Sequence, residues 1–392
     1  MRGTAKASRL GSFVSRTAAG EAYKAFMPPA LPPKPSLDME RLYKPLDRAM
    51  QALGVLNTVA EFLPDVGLFL YMYVRKEALL SSQIEGTQSS LSDLLLFEDN
   101  ESASVPIDDV EEVSNYIAAL NHGLKRLKKG FPLSVRLIRE MHTILLRGGR
   151  GADKAPGELR KSQNWIGGTR PARANFVPPP PEAVVDLMGA LEKFLHDEKT
   201  KLPILIKTAL AHVQFETIHP FLDGNGRLGR LLITLLLSAE GVLVEPILYL
   251  SLHFKEHRQH YYDLLQEVRM KGEWERWCEF FLEGVAEIAT KAAKDAKLIL
   301  SLLERDKARI AKLGRSAESA LKVHGYLLKR PYLSITKAAQ ELGISVPTVT
   351  SSVMKLVELG TLEELTGHAR NRVFAYKDYL AILTAGTAPL NK

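Results

Sequence analysis

Twelve residues near the middle of the chain bring together the side chains best suited to chemistry. Residues 219–230 read His-Pro-Phe-Leu-Asp-Gly-Asn-Gly-Arg-Leu-Gly-Arg. His219 has an ordinary pKa close to the working pH and is a natural general base. Asp223 offers a carboxylate that can bind Mg²⁺ between two phosphates. This combination predicts a site that holds a nucleoside triphosphate and attacks it.

The turn within this stretch predicts a cradle for phosphates. Gly224 and Gly226 allow backbone conformations closed to other residues, and Asn225 lies between them. The turn leads into a helix, whose first amides and positive dipole end attract anions. Arg227 and Arg230 are three residues apart, hence on one helical face, where they can hold further phosphates.

A different use of the preceding helix is also open. His212, Glu216 and His219 follow i, i+4, i+7 spacing, and Glu216 with His219 forms the Glu-x-x-His pattern of di-iron bundles. Such a site needs a second Glu-x-x-His, which this sequence lacks. We therefore expect His212 and Glu216 to be packed and hydrogen-bonded instead.

Residues 219–230 resemble, at every defining position, the Fic family motif His-x-Phe-x-(Asp/Glu)-Gly-Asn-Gly-Arg-x-x-Arg. The resemblance extends from about Leu31 to Gly284. It implies a mainly α fold, a Fic-type helical bundle with a small β-hairpin flap. It also implies a protein adenylyltransferase, which moves AMP from ATP to a Ser, Thr or Tyr hydroxyl of a target protein, and itself becomes modified.

The resemblance assigns a role to each motif residue. His219 would deprotonate the target hydroxyl, and Asp223 would hold Mg²⁺ on the α- and β-phosphates. Residues 224–226 would bind phosphates, and Arg227 and Arg230 would hold the β/γ end. The motif indicates a base, a metal ligand and cations; the choice of AMP comes from the resemblance.

An earlier segment resembles the inhibitory (Ser/Thr)-x-x-x-Glu-(Gly/Asn) motif of the family. It spans residues 81–86, with Ser81 and Glu85 at the defining positions. The Glu85 carboxylate, offered to Arg230, would occupy the guanidinium that the γ-phosphate needs. One alternative is an ordinary surface ion pair, and another is a base for water in hydrolytic removal of AMP from a modified protein.

Two further groups follow from the resemblance. Asn175, Phe176 and Val177 lie where the family has its target-docking flap, and an exposed strand edge there can pair with a target main chain. Tyr261 lies where the family builds its adenine pocket and can stack on a base, with core packing as the alternative. Arg269 takes a position where some members have Asn.

Composition and patterning place the chain in a broad class. A net charge of +7, 46% hydrophobic residues and one cysteine indicate a globular protein of a reducing compartment, so we expect the cytoplasm. The longest apolar stretch is interrupted by charges, which predicts no membrane span. The expected domains are a flexible leader (1–36), a helical region with the inhibitory helix (37–100), a Fic core (105–289), a connecting helix (290–314) and a winged-helix domain (315–392).

The C-terminal unit resembles a winged helix-turn-helix. Two short helices over residues 334–359 precede a predicted hairpin over residues 361–376. Its candidate DNA contacts are Thr348, Ser351, Ser352, Lys355, Arg370 and Arg372. Such units also dock proteins or form dimers, and family analogy suggests a homodimer. A nucleotide-sensing DNA-binding regulator is therefore the second functional hypothesis.

Overall fold

The computed structural model describes residues 9–61, 66–98, 107–148, 150–365 and 372–389. These residues are mainly helical, as the sequence predicts. The helices are α1 (Met39–Glu61), α2 (Val66–Ile84), α3 (Leu91–Glu98), α4 (Ile107–Lys128), α5 (Val135–Leu145), α6 (Val184–Leu195), α7 (Ile204–Ile218), α8 (Asn225–Ala239), α9 (Ser251–Glu256), α10 (Arg258–Lys271), α11 (Trp274–Ala311), α12 (Ala317–Lys329), α13 (Ile335–Leu342), α14 (Val346–Glu358) and α15 (Lys377–Thr384). None of these helices is both long and apolar enough to cross a membrane.

The described strands form two small antiparallel sheets. Strands β1 (Ser12–Ala18) and β2 (Glu21–Met27) make a hairpin near the N-terminus. Strands β3 (Tyr332–Ser334), β4 (Leu362–Glu364) and β5 (Val373–Tyr376) make a sheet in the order β3-β5-β4. The second sheet lies among helices α12 to α15, and the predicted turn of its hairpin, with Arg370, falls outside the described residues.

Helix α7 is the centre of the bundle. From Leu205 to Ile218 all but one of its residues are buried, which is typical of a helix surrounded by protein. Helix α8 packs directly on α7, and the loop between the two helices carries the motif residues. The core therefore fixes both sides of the candidate site.

Helix α11 crosses the predicted boundary between the Fic core and the connecting helix. It runs unbroken through 38 residues and packs along α1, so residues 290–311 continue a core helix and do not begin a separate connecting helix. The reason is an apolar face that continues past the expected boundary, with Ala292, Ala296, Ile299 and Leu303 all buried.

The interpretation of residues 1–36 as a flexible leader was wrong for residues 12–27. Strands β1 and β2 pair in register, and the N–H of Phe26 donates to the carbonyl of Val177 at 2.9 Å. The Phe26 ring is buried, with its centroid 5.8 Å from that of Phe176. The hairpin is ordered by this docking onto a distant segment, which local composition does not reveal.

The C-terminal unit contacts the end of helix α2 and the start of helix α3. Nε2 of Gln83 donates to the carbonyl of Thr387 at 2.9 Å, and the Tyr332 hydroxyl donates to Oγ of Ser92 at 2.8 Å. Gln83 is buried and lies two residues before Glu85. The turn that carries Glu85 is thus anchored partly by residues from the end of the chain.

Candidate active site

His219 occupies a constrained position at the end of helix α7. Pro220 has no N–H to continue the helix, and His219 takes a left-handed φ of 49°, which non-glycine residues rarely adopt. Its carbonyl accepts from Nε of Arg160 at 2.9 Å and from Nδ2 of Asn164 at 3.2 Å. Strained residues held by their surroundings in this way concentrate at functional sites. Arg160 and Asn164 carry no motif, and sequence reasoning missed them.

The surroundings of His219 keep its imidazole unprotonated. Burial, then the positive charges of Arg269 and Arg160, lower the pKa of His219 to about 4. At neutral pH the ring is therefore a free base that can accept a proton.

Two buried side chains hold the motif loop in shape. Oδ1 of Asn225 accepts from the N–H of Phe221 at 2.9 Å, and its Nδ2 donates to the Phe221 carbonyl at 2.9 Å. The Phe221 ring stacks on His142 at 3.8 Å, and Nε2 of His142 donates to the Asp223 carbonyl at 3.0 Å. The Asn225 side chain is thus committed to the loop, and the backbone amide of Asn225 is the group left to bind a phosphate.

The start of helix α8 faces the candidate inhibitory carboxylate. Gly224 caps the helix with a φ of 74°, and the amides of the first turn have no partner within the helix. A Cβ added at Gly226 would lie 2.3 Å from Oε1 of Glu85. The absence of a side chain at Gly226 therefore lets a carboxylate lie against the positive end of the helix.

Arg230 is fully committed to the inhibitory segment. Its Nε donates to Oγ of Ser81 at 2.9 Å, and its Nη2 donates to the Ser81 carbonyl at 3.0 Å and to Oε1 of Glu85 at 2.6 Å. Burial alone would raise the pKa of Glu85, but Arg230 and Arg227 outweigh it and hold that pKa below its usual value. Both members of the pair are ionised at neutral pH.

Arg227 binds a different carboxylate. Its Nη1 lies 3.0 Å from Oε1 of Glu112 on helix α4, and its Nη2 lies 3.8 Å from Oδ1 of Asp223. Glu112 also lies 3.2 Å from Nη2 of Arg150. Sequence reasoning missed Glu112 and Arg150, because neither belongs to a motif. The two arginines pair with separate acids, Arg227 with Glu112 and Arg230 with Glu85.

A polar cavity of about 280 Å³ joins these groups. It is lined by Glu85, Arg150, His219, Leu222, Asp223, Gly224, Asn225, Gly226 and Arg227. The Asp223 side chain is 36% exposed and belongs to this lining. A carboxylate beside a helix start, in a polar cavity, fits a hard cation such as Mg²⁺ that keeps some of its water.

Tyr261 does not line this cavity, which corrects its assignment as a base-stacking wall. It is 1% exposed, and its hydroxyl donates to Nε2 of His212 at 2.9 Å. Its ring packs against Phe254 and Trp277 in an aromatic cluster. The next residue, Tyr262, is 36% exposed. Sequence spacing does not reveal which of two adjacent tyrosines a helix turns outward.

The predicted flap is only partly exposed. Ile166 and Phe176 form a single antiparallel bridge, Asn175 is exposed, and Phe176 and Val177 are buried. Arg269 lies over the Phe176 ring at 4.1 Å. The expected exposed edge does not extend to Val177, because the N–H of Phe26 in β2 already donates to the Val177 carbonyl.

The di-iron alternative is excluded by the partners of its residues. Nδ1 of His212 donates to the carbonyl of Gly229 at 3.0 Å, while its Nε2 accepts from Tyr261, so neither nitrogen is free for a metal. Glu216 is buried against Gly229, and burial raises the pKa of Glu216 to about 7. Arg269 donates to the Glu216 carbonyl at 3.2 Å and links the end of α7 to the flap.

Comparisons with known proteins agree with this geometry. The chain is 30% identical over 239 residues to the protein adenylyltransferase Fic of Culex quinquefasciatus. The matched residues cover 59% of this chain and 43% of that protein. It is 34% identical over 162 residues to the protein of the same name from Aedes aegypti, covering 41% and 30% respectively. The chain thus spans less than half the length of these relatives.

Two solved structures share the fold. A Fic family protein from Desulfovibrio desulfuricans G20 has a TM-score of 0.57 at 19% identity and covers 88% of this chain and 98% of its own. A Fic domain-containing signaling protein from Bacteroides thetaiotaomicron has a TM-score of 0.51 at 20% identity. The match covers 64% of this chain and 96% of that protein. Residues 43–125 match the Fic/DOC family N-terminal region and residues 132–237 match the Fic/DOC family domain, so this chain belongs to the Fic/DOC family.

Proposed function

We propose that this protein is an autoinhibited protein adenylyltransferase, which moves AMP from ATP to a Ser, Thr or Tyr hydroxyl of a target protein. One observation carries the proposal: His219, Asp223, the start of helix α8 and Glu85 line a single polar cavity, and Glu85 pairs with the buried Arg230 behind this lining. The relatives from Culex and Aedes carry the name of this activity. Self-modification is expected where a hydroxyl of the chain reaches the site.

The transfer uses the unprotonated imidazole of His219. The target hydroxyl loses its proton to this ring, and its oxygen bonds to the α-phosphorus of ATP. The bond from that phosphorus to the β-phosphate oxygen breaks, and pyrophosphate leaves. Because the pKa of His219 is about 4, the ring is ready to accept the proton at neutral pH.

The remaining motif residues neutralise the charge of the triphosphate. Asp223 would hold Mg²⁺, which when bound would offset negative charge on the α- and β-phosphates. Asn225, Gly226 and Arg227 line the same cavity, where the free amides of the first helical turn and the Arg227 guanidinium would supply positive charge. Arg230 would serve the γ-phosphate once it is released from Glu85.

Inhibition follows from competition for one guanidinium. The Glu85 carboxylate lies against Gly226 and 2.6 Å from Arg230, where a terminal phosphate would be stabilised. The terminal phosphate of ATP would be repelled by the Glu85 carboxylate at this point, and Arg230 would already be paired. ATP would then bind in a pose that does not align its α-phosphorus with the attacking hydroxyl.

The flap is the proposed contact for the target main chain. Asn175 is exposed beside the Ile166–Phe176 bridge, and Phe176 fixes the flap by packing under Arg269. An extended target segment could pair along the side that Asn175 presents. The carbonyl of Val177 is available to a target only if β2 moves away.

The DNA-binding regulator receives less support. Thr348 and Ser351 are exposed on helix α14. Ser352, however, is buried and donates to Ser319, Lys355 donates to Ser316, and Arg372 pairs with Glu364. A surface that neutralises phosphates needs free cations. The winged-helix assignment, DNA binding, a homodimer and the cytoplasmic location stay predictions.

The product is tested by mass spectrometry of the untagged full chain after incubation with ATP and Mg²⁺. We expect the Glu85→Gly variant to gain the mass of AMP, and the Glu85→Gly, His219→Ala double variant to gain none. Glu158→Gln removes a different carboxylate, which is 56% exposed, and this variant should behave like the wild-type protein. An unmodified Glu85→Gly protein that nevertheless binds ATP would favour the nucleotide-sensing regulator.

The reverse reaction is tested with the modified variant as substrate. Self-labelled Glu85→Gly protein, freed of ATP, is mixed with unlabelled protein that retains Glu85. Stable label supports inhibition as the role of Glu85. Loss of label, together with release of free AMP, would support the hydrolase in which Glu85 activates water.

A further inference from the structure

A cluster of histidines and glutamates lies at the corner between helices α9 and α10, outside the candidate active site. Among the described residues, one ligand atom from each of His253, His257 and Glu287 lies within 4.8 Å of the other two. None of these residues belongs to the Fic motif or the inhibitory segment. The proposed adenylyl transfer does not use them.

Packing fixes the imidazole of His253 in this cluster. The rings of His253 and His257 lie 4.7 Å apart, and His253 lies 4.6 Å from the Phe280 ring. A Cβ added at Gly284 would lie 2.5 Å from Cδ2 of His253, so the glycine allows this ring to lie directly against helix α11. His253 is buried and Glu287 is 51% exposed, which gives the cluster one fixed side and one adaptable side.

The spacing of the donor atoms fits a small transition-metal ion. Nδ1 of His253 lies 2.8 Å from Oε2 of Glu287, and the widest separation in the group is within 4.8 Å. A tetrahedral ion with bonds of about 2.1 Å needs ligand atoms about 3.4 Å apart. The side chains of His257 and Glu287 are exposed, so they have room to adjust toward that spacing.

The donor types select the class of ion. Two imidazole nitrogens with one carboxylate oxygen suit Zn²⁺ and similar divalent ions, whereas Mg²⁺ and Ca²⁺ prefer all-oxygen sites. An adjoining cavity of about 270 Å³ is lined by His253, His257, His260, Glu279 and Glu283, among others. This cavity leaves room for water to complete the coordination.

We propose that His253, His257 and Glu287 form a binding site for a divalent transition-metal ion of the Zn²⁺ type. The ion would tie the α9–α10 corner to helix α11 through three protein ligands, with the fourth position left to water. Two ligands come from the corner and one from the long helix, so binding joins elements that are separate in sequence. The site is distinct from the proposed Mg²⁺ position at Asp223.

The test is calorimetric titration of the untagged, chelator-treated full chain with ZnCl₂, in excess MgCl₂ to saturate hard-ion sites. We expect one site, at least about tenfold weaker in His257→Ala and in Glu287→Gln. Both residues are exposed, so these variants should keep their fold, which circular dichroism checks. Neither variant touches the proposed transfer chemistry.

The matched control is a histidine–glutamate pair to which the described residues offer no third ligand. His122 lies 3.0 Å from Glu140, both half-buried, and the His122→Ala variant should bind Zn²⁺ like the wild-type protein. Bound Co²⁺ should give the strong visible absorption of tetrahedral coordination, and His257→Ala should lose it. Equal Zn²⁺ affinity in all four proteins, or no binding by any, would overturn the proposal whatever the outcome for adenylyl transfer.

Discussion

Oε1 of Glu85 lies 2.6 Å from Nη2 of Arg230, although 145 residues separate the two in sequence. The Arg230 side chain is 1% exposed, and its Nε is held by Ser81. A buried guanidinium with its countercharge in place is stable, and removing one partner of such a pair is costly. A phosphate that needs Arg230 must therefore first displace Glu85.

The contact of Ser81 with Arg230 predicts a graded loss of inhibition. Ser81→Ala removes the acceptor for Nε of Arg230, and a hydrogen bond to a charged group contributes about 1.5 kcal/mol, equivalent to roughly tenfold. We expect self-labelling from α-labelled ATP to rise by up to that factor, and less than in Glu85→Gly. Ser82→Ala is the control, because Oγ of Ser82 has no hydrogen-bond partner among the described residues. Identical rates for Ser81→Ala and Ser82→Ala would remove Ser81 from the inhibitory arrangement.

The anchoring of the inhibitory turn by the C-terminal residues predicts a second route to activation. Nε2 of Gln83 donates to the carbonyls of Thr387 and Ser89, each at 2.9 Å. Gln83→Ala removes both bonds, so the turn carrying Glu85 should open more often and self-labelling should increase. In Gln88→Ala, which loses only a local bond to Gly86, we expect no increase. A folded Gln83→Ala protein with unchanged labelling would show that this anchor does not restrain Glu85.

The low pKa of His219 predicts an unusual pH profile. Burial with Arg269 and Arg160 lowers this pKa to about 4, and the negative charge of Glu85 opposes the shift. Replacing Glu85 by Gly removes that opposition and lowers the pKa further. Protonation then removes the base only as the pH falls toward 4 or below. At ATP concentrations well below the KM, where the rate reports the free protein, the labelling rate of Glu85→Gly should show no inflection near pH 6.5, the ordinary histidine value. A fall centred on pH 6.5 would contradict the neutral-base assignment.

The burial of Tyr261 predicts an effect on stability and none on ATP binding. Tyr261→Phe leaves Nε2 of the buried His212 without its donor, which should lower the free energy of unfolding by about 1–2 kcal/mol. The KM for ATP, measured with Glu85→Gly as background, should not change. Tyr262→Phe is the matched substitution on the exposed neighbour and should leave stability unchanged. If Tyr261→Phe raised the KM for ATP and left the free energy of unfolding unchanged, Tyr261 would again be assigned to stacking on the adenine.

Sequence reasoning reached the parts of the site that depend on local spacing. The approach of Glu85 to Arg230 was predicted from the resemblance to the family's inhibitory motif and not from spacing. The end of helix α7 before Pro220 and the start of α8 in the Gly-Asn-Gly turn follow from local residue types. Such features survive without knowledge of the tertiary fold, because proline, glycine and residue spacing act within a few residues.

The features that sequence reasoning missed depend on distant packing. The N-terminal hairpin is ordered by contact between Phe26 and Phe176, and Glu112 reaches Arg227 from a helix without any motif. The burial of Tyr261 in place of Tyr262 depends on how helix α10 is rotated against its neighbours. No local pattern encodes these three relationships, since each is decided by elements far apart in the chain.

The most direct measurement of the central claim is the initial rate of AMP incorporation from α-labelled ATP in the untagged full chain. If Arg230 is withheld by Glu85 and His219 is the base, Glu85→Gly should be labelled at least about tenfold faster than the unmodified protein. Adding His219→Ala should then reduce the label to background. Equal incorporation with and without Glu85, or full incorporation without His219, would contradict the account.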